Sequence, residues 1–155
     1  MKINLALSHR FPRKLLSVAP SALLFLAAAA SLSSQSQHHG VVRPLSDVKF
    51  EQDSDSKCLE GALENGDPNT GPSTFLLRAA PNCLVPWHYH TAEEQLIVVS
   101  GDVEAGMDGI SPRILQAGGF AMMPGKEKHW FSCKSKDSCL MFVTFDRAYD
   151  IFWVK

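Results

Sequence analysis

Four residues of this chain have the types and the spacing that could hold one metal ion. His88 and His90 are one residue apart, Glu94 follows four residues after His90, and His129 lies further along the chain. Residues two apart on a β-strand share a face, so the side chains of His88 and His90 would point the same way. Imidazole nitrogens and carboxylate oxygens are ligands of divalent transition metals. The pattern therefore predicts a centre of three histidines and one glutamate, provided that strands bring the two segments together.

The strand faces that carry these residues are otherwise apolar. Ionisable groups in such surroundings are costly unless they are paired or coordinated, and a divalent cation would resolve that cost for all four at once. Mixed nitrogen and oxygen ligands favour Fe(II) or Mn(II), with Ni, Co and Zn as alternatives. Four protein ligands would leave two positions open on a six-coordinate metal. A closed, purely structural zinc site is the other interpretation.

Glu94 is also the candidate catalytic base, because a carboxylate ligand that dissociates could accept a substrate proton. Its neighbour Glu93 is the alternative ligand, since a register slip of one residue exchanges their faces. Strand alternation also predicts an apolar pocket beside the metal. The residues predicted to line it are Leu96, Val98, Met122 and Phe131.

The elements that must position these side chains are short strands. From Val41 onwards, apolar runs are separated by Gly, Pro, Asn and Asp, and no long stretch shows helical periodicity. This pattern predicts an all-β sandwich or barrel. Residues 64–72 are dense in turn-forming types. The predicted strands are 74–79, 84–90, 95–100, 103–107, 113–116, 120–123, 129–133, 139–145 and 149–154.

The chain has four cysteines, which allow three disulfide pairings. Cys133 and Cys139 bracket a polar loop between two predicted strands, so this pair is the favoured bridge. Cys58 and Cys83 would then form the second one. Buried, unpaired thiols are the alternative. No C-x2-C spacing suggests that these cysteines bind a metal.

The N-terminus has the plan of a secretory signal. Four basic residues and no acids occur in residues 1–30, and an apolar run ends in small residues. We predict a signal peptide over residues 1–30 with cleavage near Ala30, and an uncleaved membrane anchor is the alternative. Residues 31–44 are predicted to be a flexible linker. The protein would then be periplasmic or secreted.

Charge and length limit the remaining functions. Without residues 1–30 the chain has 11 basic and 16 acidic residues, a formal net charge of −5. A mildly acidic protein is a poor candidate for binding nucleic acid. The expected partner is a small-molecule ligand or substrate, and membrane contact is expected only through an uncleaved signal segment. Residues 45–155 suit a single domain.

The motif residues resemble the two motifs of the cupin superfamily. The first motif is matched by Pro86, His88, His90, Glu94 and Gly101, and the second by Gly118, Pro124 and His129. The resemblance covers residues 45–155 and implies a double-stranded β-helix, which is a jelly-roll barrel. Residues 66–72, 74–77 and 149–154 are similar to the ChrR-like subgroup. The second motif departs from the family pattern, because Lys126 stands where a glycine is usual and Cys133 where a polar residue is usual.

The resemblance implies two classes of function. One is an exported metal-dependent enzyme of the dioxygenase type that acts on a small organic molecule, in which His88, His90 and His129 hold the metal. The other is a module of the same fold that binds a small molecule or a metal without turnover. Cupins often dimerise, and residues 152–153 could pair across a homodimer, although core packing would explain them equally well.

Overall fold

The computed structural model describes residues 40–155, which form two antiparallel β-sheets. The signal-peptide prediction and most of the predicted linker lie outside the described residues. Within residues 40–155 there is no α-helix, and no helix is long and apolar enough to cross a membrane. The only helical element there is a 3-10 turn at Leu45–Asp47.

Eleven strands make up the domain. In chain order they are β1 (Glu51–Gln52), β2 (Leu59–Gly66), β3 (Ser73–Ala79), β4 (Leu84–Tyr89), β5 (Glu94–Ser100), β6 (Val103–Met107), β7 (Ile110–Leu115), β8 (Phe120–Met123), β9 (His129–Cys133), β10 (Cys139–Phe145) and β11 (Phe152–Trp153). The six-stranded sheet has the order β1-β2-β3-β10-β5-β8, and the five-stranded sheet has the order β11-β4-β9-β6-β7. The predicted all-β jelly-roll fold is confirmed.

The core lies between the inner faces of the two sheets. Along β5, buried and exposed residues alternate, with Glu94, Leu96 and Val98 facing inwards. The β-strand β10 runs between β3 and β5 and buries Met141 and Val143 completely. The alternation places Glu94, and not Glu93, on the buried face. The inward register of β5 therefore carries one carboxylate into an otherwise apolar core.

β2 and β11 differ most from the sequence prediction, and the two-residue strand β1 was also not predicted. β2 was assigned to no strand, because Leu59–Gly66 contains two glycines, two glutamates and an asparagine, which are poor strand formers. Its pairing with both β1 and β3 overrides that local preference. The predicted strand 149–154 is a strand only at Phe152–Trp153. The Tyr149 N–H instead donates to the Pro68 carbonyl, which fixes the chain before β11 outside the ladder.

Two disulfides fasten the strands near their ends. They join Cys58 to Cys83 and Cys133 to Cys139, the pairs that the sequence analysis favoured. The second bridge closes the loop between β9 and β10 and lies against Gly101. A Cβ atom at Gly101 would come within 2.9 Å of the Cys139 Sγ, and its φ of +87° also favours glycine. The turn after β5 thus needs this glycine for both space and backbone conformation.

Candidate metal centre

The four predicted ligands come from both sheets. His88 in β4 and His129 in β9 are directly opposite each other as cross-strand partners in the five-stranded sheet. Glu94 opens β5 in the six-stranded sheet, and His90 lies in the corner between β4 and β5. The pairing of β4 with β9 shifts register between Val85 and His88, so both of these residues point inwards although they are three positions apart. This irregularity aims His88 at the same space as Glu94.

The four side chains meet in a small, closed volume. One potential ligand atom from each residue lies within 4.8 Å of all the others, and each residue is only 3% exposed. The Glu94 Oε2 atom lies 3.1 Å from the Nε2 atoms of both His90 and His129. Among the residues that the structure describes, this is the one group of such side chains with metal-binding geometry.

Backbone carbonyls orient the three imidazole rings. The Nδ1–H of His88 donates to the Pro86 carbonyl at 2.7 Å, and that of His129 donates to the Glu127 carbonyl at 2.9 Å. The Nδ1–H of His90 donates to the Asp150 carbonyl. With every Nδ1 occupied in this way, the Nε2 atoms are free to face the centre. This outer layer of hydrogen bonds is the usual means of fixing the tautomer and direction of metal-binding histidines.

Burial and hydrogen bonding shift the pKa values of three ligands in different directions. Burial lowers the pKa of His88 to about 4, so this imidazole is neutral near pH 7. For Glu94, burial opposes ionisation, but hydrogen bonds from His129 and His90 prevail and lower its pKa to about 2. For His90, burial is again outweighed, and the hydrogen bond to Glu94 raises its pKa. The ionised Glu94 and the neutral His88 are in the protonation states that metal binding requires, whereas His90 must release the proton that its raised pKa favours.

The donor set therefore fits a divalent transition metal. Four buried atoms, three of nitrogen and one of oxygen, converge without a competing cation from a lysine or arginine. Two of the imidazoles share one carboxylate oxygen, an arrangement that a metal ion between them would replace. The residues determine that a metal could be held here, whereas the identity of the metal is left open.

The segment before β11 holds the His90 corner, and sequence reasoning missed its contribution. The Asp150 carboxylate accepts hydrogen bonds from the backbone N–H of Thr91, at 2.7 Å, and from its hydroxyl. The Tyr149 ring lies 5.2 Å from the His90 ring, and the Trp153 ring lies 5.4 Å from the His88 ring. No local motif marks these contacts, because they join residues some 60 positions apart in the chain.

Two cavities reach the centre from different sides. The first, which we call the methionine cavity, has a volume of about 190 Å³ and touches His129. Its wall comes from β5 to β9 and is lined by Leu96, Ala105, Gly106, Met107, Ile110, Ser111, Arg113, Leu115, Phe120, Ala121, Met122, Met123, His129, Trp130 and Phe131. The second, the tyrosine cavity, has a volume of about 130 Å³ and touches His90 and Glu94. It is lined by Asp53, Ser56, Leu59, Gly61, Phe75, Leu77, Val85, His90, Glu94, Phe145, Tyr149, Ile151 and Trp153.

The predicted pocket residues fall mostly in one of these walls. Leu96, Met122 and Phe131 line the methionine cavity. Val98 does not line either cavity and lies in the hydrophobic core, where it is 1% exposed. It is two residues beyond Leu96 along β5 and opposite Met141. The prediction that Val98 lines the pocket is therefore not matched by either cavity. The tyrosine cavity as a whole was missed, because most of its wall comes from β2, β3 and the C-terminal segment.

Comparisons with known proteins agree with the fold. Residues 75–145 match the Cupin domain family model. The comparison with curated proteins gave no match. Among solved structures, the polyketide cyclase RemF from Streptomyces resistomycificus aligns with a TM-score of 0.63 at 18% identity, over 76% of this chain and 88% of that one. An RmlC-like cupin from Shewanella frigidimarina aligns with a TM-score of 0.59 at 17% identity, over 71% of this chain and 93% of that one.

A third solved structure is an oxalate oxidase in complex with the substrate analogue glycolate. It aligns with a TM-score of 0.51 at 25% identity, over 54% of this chain. The alignment spans 46% of the oxidase chain, which is less than half of its length. The resemblance to the ChrR-like subgroup stays a prediction. The motif residues, the two-sheet barrel, the Cupin domain match over residues 75–145 and these structural neighbours support the predicted resemblance to the cupin superfamily.

Proposed function

We propose that the protein is an exported, metal-dependent enzyme of the dioxygenase type that acts on a small organic molecule. The observation that carries this proposal is the convergence of His88, His90, Glu94 and His129, of which His129 lines one cavity and His90 and Glu94 line another. A ligand set of four leaves room in an octahedral shell. A site reached from cavities is also suited to binding small molecules.

The roles of the chain's own residues follow from the geometry. His88, His90 and His129 would hold the metal through Nε2, and Glu94 through a carboxylate oxygen. When bound, a metal such as Fe(II) or Mn(II) would supply Lewis-acid and redox chemistry. The carbonyls of Pro86, Glu127 and Asp150 keep the rings aimed, which lowers the cost of assembling the site.

The structural neighbours support enzyme activity only at the level of the fold. One is a polyketide cyclase and another is an oxalate oxidase, so the same barrel carries more than one chemistry. Their activities do not select a reaction for this chain. The choice of oxygen chemistry rests on the mixed nitrogen and oxygen ligands and on the open coordination positions.

A binding module without turnover is the second candidate, and the state of Glu94 favours it. In the metal-free protein, hydrogen bonds from His129 and His90 hold the pKa of Glu94 at about 2, which makes it a weak base towards a substrate. Catalysis through Glu94 would require those contacts to be released. A pocket that captures a small molecule needs no such step.

Export is proposed from the cysteines together with the N-terminal pattern. All four cysteines of the chain are paired in the structure. Such bridges persist mainly in oxidising compartments such as the periplasm or the cell exterior.

Oxygen uptake tests the enzyme proposal. Protein purified without a histidine tag is loaded separately with Fe(II), Mn(II) and Ni(II) and mixed with a panel of diketones, catechols and flavonols. We expect metal-dependent oxygen consumption with at least one compound, and at least a hundredfold loss in Glu94→Gln. Glu93→Gln is the matched control, because Glu93 is adjacent and its carboxylate accepts a hydrogen bond from the Gln95 side chain outside the site.

The outcome separates the two candidates. Uptake that is equal in the Glu94→Gln and Glu93→Gln proteins would contradict a reaction at this centre. Silence of every metal form, with the metal bound, would leave the binding module as the better description of the protein.

A further inference from the structure

The wall of the methionine cavity contains a single side chain with a permanent charge, that of Arg113. The other lining residues are apolar apart from Ser111 and the ligand His129. Arg113 is exposed, so it stands where the cavity meets solvent and its charge is hydrated rather than buried. The chemistry of a ligand that could replace this water follows from the position and contacts of Arg113.

The strand register directs Arg113 towards the cavity. In the five-stranded sheet, Phe131, Ala105 and Arg113 are successive cross-strand partners on β9, β6 and β7. Directly opposed residues lie on the same face of a sheet. Phe131 is buried, and Ala105 packs against the core, so this is the inner face. Arg113 therefore stands on the inner face of an edge strand, at the outer end of the row that begins beside His129.

Arg113 also differs from the other arginines of the described region. Arg43, Arg78 and Arg147 each form an ion pair with a carboxylate. Within residues 40–155, Arg113 takes part in no ion pair of this kind. Its guanidinium is therefore available to an external anion, and its planar fork matches a carboxylate through two parallel hydrogen bonds.

We propose that the methionine cavity binds a small apolar carboxylic acid. Arg113 pairs with the carboxylate at the mouth, and the apolar body of the acid lies along Met107, Met122 and Phe131 with its far end near His129. In the proposed enzyme, this acid would be the substrate. Only that role rests on the proposed function, whereas binding of the acid does not.

The dimensions limit the size of the acid. Two strand spacings of about 4.8 Å separate the backbones of Phe131 and Arg113 across the sheet, so the apolar wall between them suits a molecule a few bonds long. The volume of about 190 Å³ is below the range of roughly 300–1,000 Å³ that drug-sized ligands occupy. A single ring with a short acid side chain, or a short fatty acid, would fill it.

Binding of 3-phenylpropanoate and of its neutral amide tests the proposal. Both are titrated into the metal-free and the metal-loaded protein, and tryptophan fluorescence is followed because Trp130 lies in the cavity wall. We expect the acid to bind at least tenfold more tightly than the amide in both forms. Acetate, which lacks the apolar body, should bind at least tenfold more weakly than 3-phenylpropanoate. The preference for the acid should also weaken at high salt, because Arg113 is close to solvent.

The variant series assigns the preference to one side chain. Arg113→Gln should reduce the preference to within about twofold without changing the metal content, and Arg113→Lys should keep part of it through its charge. Arg147→Gln is the matched control, because Arg147 lies on the surface outside both cavities and should leave the preference intact.

Three results would overturn the proposal: equal binding of acid and amide by the wild type, no binding of either, or an unchanged preference in Arg113→Gln. Its failure is distinct from failure of the proposed enzyme. An acid preference in metal-free protein that shows no oxygen uptake when loaded would keep the binding site and remove the catalytic function.

Discussion

The methionine cavity and the tyrosine cavity touch different residues of the candidate metal centre and have walls of opposite charge. The methionine cavity has three methionines, one arginine and no carboxylate in its wall. The tyrosine cavity has Asp53 and Glu94 as well as Tyr149, and no lysine or arginine. An anion is therefore favoured on the first side and opposed on the second. The single barrel thus offers two chemically different environments around one centre.

The difference originates in the strands that form each wall. The methionine cavity is bounded by consecutive strands, β5 to β9, whose alternation is regular enough to be read from the sequence. The tyrosine cavity is assembled from β2, β3, β10 and the C-terminal segment, which are distant in sequence. Burial raises the pKa of Tyr149 there, so its phenol stays protonated and can donate a hydrogen bond. This cavity suits a neutral molecule better than an anion.

Filling each cavity in turn should have the largest effect on ligand binding, and the effect should differ between the two cavities. Ala121→Phe places a ring in the methionine cavity, and Ser56→Phe places one in the tyrosine cavity. We expect the first to weaken binding of 3-phenylpropanoate by at least a hundredfold and the second by less than threefold. Fluorescence titration measures both, and the metal content of each variant checks that the barrel is intact.

The opposite ranking of these two variants would assign the ligand to the tyrosine cavity. Equal losses in both would indicate that the two cavities are not independent. In either event the charge difference between the walls would not govern where the acid binds.

Protonation of the candidate metal-binding residues should change the stability of the metal-free protein. The pKa of His88 is about 4 in the folded state and near 6.5 when exposed, so the unfolded chain binds more protons between these values. The free energy of unfolding should rise from pH 4 to pH 6.5, by roughly 3 kcal/mol from His88 alone. His90, with a raised pKa, contributes in the opposite sense, because its stabilisation is lost as the pH rises. Glu94 contributes below pH 4.5, where stability falls as the carboxylate is protonated.

Urea unfolding of chelator-treated protein at several pH values measures this dependence. The His88→Asn variant should have a flatter profile between pH 4 and 6.5 than the wild type. Parallel profiles would show that His88 is not held neutral by burial, and the ligand geometry would then need revision.

The smallest effect is expected for a substitution in the loop between β8 and β9, and it concerns stability. This loop joins β8, in the wall of the methionine cavity, to His129. The Lys126 N–H in it donates to the His90 carbonyl at 2.6 Å, and Lys126 has a φ of +72°. Left-handed backbone is costly for a lysine, so Lys126→Gly should raise the free energy of unfolding by about 1 kcal/mol.

Lys128→Gly is the matched control for that substitution. Lys128 has no positive φ, so a glycine there should lower stability by roughly 0.5–1 kcal/mol. Urea unfolding compares the two variants. Destabilisation by Lys126→Gly would show that the lysine side chain, and not its backbone, is what the loop requires.

The candidate metal-binding residues and the sheet framework could be predicted from sequence because they depend on local alternation and on turn residues. Gly101, with its positive φ, and the inward series Glu94, Leu96 and Val98 follow these rules directly. The contacts of Asp150 and Tyr149 could not be predicted, since they arise where the C-terminal segment packs on the His90 corner. The placement of Val98 in the core was missed because alternation gives the face of a residue but not its depth along the barrel.

The metal content of the untagged protein tests directly whether the four converging residues form a metal centre. Wild-type protein, supplied with Fe(II), Mn(II), Ni(II), Co(II) or Zn(II) and then dialysed, should retain about one metal ion per chain for at least one of these metals. Glu93→Gln should retain the same amount, whereas Glu94→Gln should lose at least tenfold in affinity. Wild-type protein that holds none of these metals, or equal retention by the two glutamine variants, would contradict a centre formed by His88, His90, Glu94 and His129.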